Sequence, residues 1–332
     1  MEEKIRVNLS KRTYNLLMKD AENFEFFKKD GSLNKNAFIN RLIINYQNDY
    51  SLKQREMLDI IEDNLFELND KYSLLEETGY NILNKLNLYV SDSDEYNDVH
   101  ISFRPIRESL NIIDFIEHHE LKGSSRSNYY RMMFDSYCSL PQDKRERIIF
   151  RNLIEKIEEA ILDNRKIYLL TKNNYKRGFP GVTLSPFSLS LTKEELYNYL
   201  LAELNQYKAC RSTRLCRIQS ISILKENREF SEDVLEKLNK MEFNGPQYAY
   251  TDEENELIKI QLSEEGIKKF KQYYVHRPVP IEINNDIYVF NCTYTQALNY
   301  FARFGEDAII LSPDSLKKQF KDFYQRALEK ML

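Results

Sequence analysis

Apolar and polar residues alternate over "IRVNL" at positions 5–9, with Ile5, Val7 and Leu9 set against Arg6 and Asn8. This period of two predicts a half-buried strand. Ser10 then stands where a helix N-cap is wanted, and Tyr14, Leu17 and Ala21 follow at helical spacing. "GSLNKNAFINRLIINY" (31–46) reads as a turn and a second helix, with Phe38, Ile39, Leu42 and Ile43 on its apolar side. A strand, helix, turn and helix in under fifty residues cannot bury their own apolar surface and need a partner.

The same order returns later. Val99, Ile101 and Phe103 alternate with His100, Ser102 and Arg104, helical spacing follows at Leu110, Ile113 and Ile116, and "GSSRSN" stands where the first copy has "GSLNKN". Gly31, Ser32 and Asn36 match Gly123, Ser124 and Asn128 at a constant offset of 92. A tandem repeat is the expectation, with the first strand pairing antiparallel with residues 99–104. The alternative is pairing with the same strand of another subunit.

Between the copies Leu58, Ile61, Leu65, Leu68, Tyr72 and Leu75 fall at steps of three and four, and Ile82 and Leu86 resume after Gly79. The spacing predicts one long helix that packs on a neighbour, either in a dimer or within one chain. "SDSDEYND" (91–98) is a polar, acidic loop. An amphipathic helix over 144–164 precedes four strand-like runs separated by turn residues, which predict a small barrel. From about residue 226 strands alternate with helices in a βαββαβ-like order. The expected class is α+β, with segments 1–48, 49–97, 98–140, 141–164, 165–226 and 227–332.

Charge changes the picture locally. The net charge of 332 residues is −4, yet residues 164–225 carry eleven Lys or Arg against three Glu, a local +8 that favours an anionic partner. Cys138, Cys210, Cys216 and Cys292 fit neither a disulfide framework nor zinc spacing and read as reduced thiols. With no secretory signal and no apolar run of membrane length, the expectation is a cytoplasmic protein without a membrane partner. No P-loop, GxSxG or HExxH pattern occurs, and neighbouring His118 and His119 point to different helix faces, so no enzyme, metal site or cofactor is expected.

Two constellations carry candidate chemistry. Lys4, Arg6 and Asn8 lie on the outward face of the first strand, and a two-stranded ribbon of that width can enter a DNA major groove. The plain alternative is an ordinary solvated strand face. Arg211, Arg214 and Arg217 recur every three residues near Tyr199, offering forks for phosphate and a ring for base stacking. Lys172, Lys176 and Arg177 in "TKNNYKRGF" extend this surface or form a solvated charged turn. The competing reading has Tyr199 as a half-buried barrel aromatic and the arginines paired with Glu194, Glu195 or Glu203.

Residues 4–46 resemble the ribbon-helix-helix family of nucleic-acid-binding proteins, on the "IRVNLS" strand, the Ser10 cap and "GSLNKNAFINRLI". That resemblance implies base contacts from Arg6 and Asn8, with Lys4 at the edge. Residues from about 144 to 332 resemble a WYL domain with its C-terminal extension, on "AILDNRKIYLL", Pro186 and Leu189 of "SPFSLSL", "NYLLAEL", "RLCRIQSISIL" and the closing "FGEDAIILSPDSLKKQF". Asn198 stands where the family has its Trp, followed by Tyr199 and Leu200. The resemblance implies an SH3- or Sm-like β-barrel with a ferredoxin-like extension, and a binding role for Tyr199, Arg214 and Arg217. Together the two modules resemble the WYL-domain accessory proteins of type VI RNA-targeting CRISPR systems. This implies a protein that binds single-stranded RNA and stimulates an RNA-guided nuclease, and the heptad-like seam and the C-terminal extension each offer a dimer surface, so a homodimer is expected. The alternative is a ligand-responsive WYL transcription regulator whose ribbon binds operator DNA. A purely structural dimerisation protein would leave the basic barrel without a purpose.

Overall fold

The opening strand finds its partner within the chain. In a computed structural model, which describes residues 4–66, 78–83, 99–192, 195–250 and 256–331, β1 (Ile5–Leu9) pairs antiparallel with β2 (Val99–Phe103). Ile5 faces Phe103, Val7 faces Ile101 and Leu9 faces Val99, so one side of the ribbon is apolar throughout. The chain divides into two compact units, 1–151 and 152–332.

In the first unit Ser10 caps α1 (Lys11–Asn23), its hydroxyl accepting the Thr13 N–H at 3.0 Å. α2 (Lys35–Phe66) is continuous over 32 residues, so the boundary expected at residue 48 falls inside a helix. The single helix expected to run on through the heptad positions is not what forms. A short helix α3 (78–83) brings Gly79 so close to α2 that a Cβ there would lie 3.5 Å from Leu58 Cδ2. A straight helix would hold residues 58 and 79 about 31 Å apart. Leu68, Tyr72, Leu75, Leu86 and the acidic loop 91–98 lie outside the described residues.

The second copy comprises β2, α4 (Arg107–Phe115), a π turn over Ile116–Glu120, and α5 (Arg126–Cys138). Gly31 and Gly123 hold φ of +82° and +84°, so the offset of 92 read in the sequence reappears as one left-handed turn used twice. The copies interlock. Asn36 Oδ1 accepts the Arg104 N–H at 2.7 Å, while the Asn8 N–H donates to Ser127 Oγ at 3.2 Å. The second helix of each copy thus satisfies a backbone amide on the other copy's strand segment. Asn40, fully buried, donates to the Arg104 carbonyl at 2.9 Å and accepts from the Ser109 hydroxyl at 2.6 Å.

The amphipathic helix expected over 144–164 is two helices, α6 (Gln142–Ile149) and α7 (Arg151–Leu162). Phe150 ends α6 at φ −106°, ψ 22°, and packs its ring edge-on to Phe24 at 6.0 Å. The last carbonyls of α6 need donors, and Asn45 Nδ2 donates to the Ile148 and Ile149 carbonyls at 2.8 and 3.1 Å.

In the second unit β3 (Arg165–Thr171), β4 (Val182–Leu191), β5 (Asn198–Leu204), β6 (Ala209–Arg214) and β7 (Ile218–Asn227) form an antiparallel sheet in the order β6-β5-β4-β3-β7. The single-turn helix α8 (Lys172–Arg177) follows β3, and a 3-10 turn (Leu215–Arg217) links β6 to β7. Pro186 is tolerated within β4 because the pairing with β5 bulges there, between Pro186 and Ser188. α9 (Glu232–Asn244) buries Val234, Leu238 and Met241 against Leu201 of the sheet.

The remainder runs β8 (Ile258–Leu262), α10 (Glu264–Gln272), β9 (Pro280–Asn284), β10 (Ile287–Phe290), α11 (Tyr294–Phe301), β11 (Ala308–Ser312) and α12 (Asp314–Glu329). The sheet order β11-β8-β10-β9 is antiparallel throughout. Phe270, Phe290, Tyr300, Phe301 and Phe304 fill its core with α10 and α11. No helix among the described residues is long and apolar enough to cross a membrane.

Candidate nucleic-acid interface

Strand alternation decides which of the candidate cations meet. Across β5 and β6 Tyr199 faces Arg214, Leu201 faces Ser212 and Glu203 faces Cys210, and these six side chains share one side of the sheet. α9 covers the lower part of that side. Leu201 and Cys210 pack against its apolar stripe, and Glu203 accepts from the Ser231 N–H and hydroxyl at 2.9 and 3.0 Å. Tyr199 and Arg214 remain at the upper rim.

Arg211 belongs to the other side. It stands opposite Ala202, on the side that carries Leu200 and Thr213, and its Nε donates to Thr213 Oγ1 at 3.3 Å. Burial pushes its guanidinium below the ordinary arginine value. The three-residue spacing that grouped Arg211 with Arg214 in the sequence therefore separates them, because an odd step along a strand changes face.

Arg217 does reach the site. It ends the 3-10 turn, is exposed, and with Arg214 acts electrostatically on Tyr199. Burial pushes the Tyr199 phenol up, Arg214 and Arg217 draw it back down, and Glu195 adds to the rise. One participant has no forerunner among the sequence candidates. The Tyr197 ring lies beneath the Arg214 guanidinium, 3.2 Å from its centroid. The available signal was the "YNY" alternation, which puts Tyr197 and Tyr199 two apart and hence on one face. Glu195, which raises the Tyr199 phenol, has its Oε1 3.5 Å from His276 Nε2. Glu194 lies outside the described residues.

α8 adjoins this rim through backbone pairing. Thr171 pairs with Ile218, so Lys172 follows one member of the pair and Arg217 precedes the other. Thr171 caps α8 by accepting the Asn174 N–H, and Gly178 ends it at φ +70°. The turn displays exposed Lys176 and Arg177 beside Tyr175 and Phe179, which are 63% and 56% exposed. Such a mixture of cations and open rings suits a single strand, whose phosphates and base faces are both accessible.

On the ribbon Lys4, Arg6 and Asn8 are exposed while Ile5, Val7 and Leu9 are buried. Arg6 Nη2 lies 3.2 Å from His100 Nδ1, and Ser102 faces Arg6 across the pair. His118 and His119 are exposed on the π turn, and no cluster of metal-ligating side chains occurs among the described residues.

No family model matches the chain, and no curated protein is similar to it by sequence. Among solved structures one described as "Crystal structure of a CRISPR Cas-related protein" aligns over 100% of this chain and 94% of its own, with a TM-score of 0.71 at 20% identity. A second, "Proteasome accessory factor B/C (PafBC) of Arthrobacter aurescens", aligns over 71% of this chain and 38% of its own at 16% identity, with a TM-score of 0.24, below that of a shared fold. The α+β fold of this chain is accordingly similar to that of the CRISPR Cas-related protein over its whole length.

Proposed function

We propose that this chain is a non-enzymatic, single-stranded-RNA-binding accessory protein that stimulates an RNA-guided, RNA-targeting CRISPR nuclease, acting as a cytoplasmic homodimer. The observation that carries the reading is Tyr199 facing Arg214 at the open rim of the five-stranded sheet, with Arg217 beside them. Rings that stack on any base and guanidinium forks that take phosphate are the sequence-tolerant equipment of single-strand binding. The full-length likeness to a CRISPR Cas-related protein supports the setting. In this reading the five-stranded sheet is an SH3/Sm-like WYL barrel, the β1–β2 unit a tandem ribbon-helix-helix, and the last sheet a ferredoxin-like extension.

One observation favours a second reading. The exposed Arg6 and Asn8 beside His100 form a hydrogen-bonding strip on a two-stranded ribbon, which suits operator DNA and a ligand-responsive regulator. Fluorescence-anisotropy titration with random single-stranded RNA, single-stranded DNA and duplex DNA at two salt concentrations separates the two. Preferential RNA binding with a steep salt slope is the expected result. Duplex preference, or binding only after a small molecule is added, would favour the regulator.

A further inference from the structure

A cavity of about 350 Å³ opens in the first unit between the far half of α2, α3 and the turn that joins α4 to α5. That volume lies within the range of small-molecule sites. Its place relative to the repeat is informative. The corner of copy one between α1 and the start of α2 is filled by rings. Phe24 and Phe38 are fully buried there, Phe26 packs on Phe38 at 5.4 Å, and Phe150 closes on Phe24 at 6.0 Å. The residues at the same offset of 92 in copy two, Ile116 and Tyr130, are fully buried as well and do not line the cavity, so it lies outside the repeated core.

The backbone around it is unusual in two ways. α4 widens into the π turn Ile116–Glu120, and Lys122 follows at φ +42°. A π turn and a non-glycine residue in the left-handed region each cost stability and concentrate at functional sites. Both contribute residues to the cavity wall.

The lining has a definite chemistry. Tyr50, Tyr80 and Phe115 supply aromatic walls, and the Lys122 ammonium sits 5.2 Å from the Tyr80 ring centroid. Arg55 adds a second cation. The carboxylate in the wall, Glu120, already accepts a hydrogen bond from the Ser51 hydroxyl at 2.9 Å. Two cations against aromatic walls suit a planar ring that carries an anionic group.

We propose that this cavity binds a nucleoside monophosphate, with the base against the aromatic wall and the phosphate on Arg55 and Lys122. Every lining residue belongs to the first unit and none to the five-stranded sheet, so the site is independent of the function proposed above.

Calorimetric titration of the full chain with AMP and UMP, with the matching nucleosides and with inorganic phosphate tests it. The monophosphates are expected to bind at least tenfold more tightly than either half alone. Arg55→Glu with Lys122→Glu is expected to weaken that binding at least tenfold, and Arg55→Ala alone, at an exposed helix position, severalfold. Tyr199→Ala is expected to leave it unchanged. No monophosphate binding at millimolar concentration would overturn the proposal. So would full binding by Arg55→Ala and the double variant with native melting, or loss confined to Tyr199→Ala.

Discussion

Tyr199 stands directly opposite Arg214 across β5 and β6, whereas Arg211, three residues earlier, stands opposite Ala202 on the other face of the sheet. The two arginines therefore have different expected roles. Tyr199→Ala, Arg214→Ala and Arg217→Ala are each expected to weaken single-stranded-RNA binding about tenfold, or about 1.4 kcal/mol. Arg211→Ala is expected to change it less than about twofold. Anisotropy with thermal melting as a folding control measures this, and a greater loss from Arg211→Ala than from Arg214→Ala would reverse the assignment of faces.

The ribbon is expected to act on duplexes. Arg6→Glu places a carboxylate on the exposed strip beside His100, where it repels phosphate and cannot donate to guanine. Duplex DNA affinity should fall by about tenfold or more while single-stranded RNA affinity stays within about twofold. Equal losses on both nucleic acids would show that the ribbon and the five-stranded sheet do not divide the work.

Stability of the first unit is expected to depend on one buried pair. Arg145 Nε lies 2.6 Å and Nη2 3.0 Å from the two carboxylate oxygens of Asp20, and the Tyr137 hydroxyl donates to the same carboxylate at 3.0 Å. Arg145→Met leaves the fully buried Asp20 charge without its counter-ion, at a cost of about 3–5 kcal/mol. Urea denaturation of the whole protein should show the first transition move to lower denaturant. Adding Asp20→Leu to that variant should restore part of the loss, and a further loss instead would argue that the pair is not what Arg145 contributes.

Acid sensitivity of the second unit is expected to involve Asp307. Hydrogen bonds from Lys269 Nζ at 2.6 Å and from the Ser263 hydroxyl at 2.5 Å hold its carboxyl below the ordinary 3.8. A carboxyl lowered by folding adds stability above its unfolded value and loses it as pH falls through the folded one. Asp307→Asn should therefore lower melting at neutral pH and flatten its decline below about pH 4. An acid limb as steep as the wild type's would assign the sensitivity to other carboxyls.

Much of the local structure was legible because it depends on nearest neighbours along the chain. Alternation at residues 5–9 and 99–103 put Ile5, Val7 and Leu9 on one side of a strand and Arg6 and Asn8 on the other, and the backbone pleat allows no other arrangement. The Ser10 cap and the paired glycines at 31 and 123 were equally visible, since capping and left-handed turns select residue types directly. Of the strand-and-helix order expected from about residue 226, the part after residue 256 was legible for the same reason, while α9 before it was not anticipated. The repeat also led to the pairing of β1 with β2 of its own chain, whereas tertiary structure alone decided that Gly79 packs close to Leu58 and that Phe150 splits one amphipathic pattern into two helices. Each of these joins or redirects segments through contacts distant in sequence, and periodicity carries no information about distance in space. The same limit explains the site. A basic segment of +8 was visible in the sequence. That Arg214 would lie over Tyr197 and face Tyr199 while Arg211 turned away followed only from the pairing of β5 with β6.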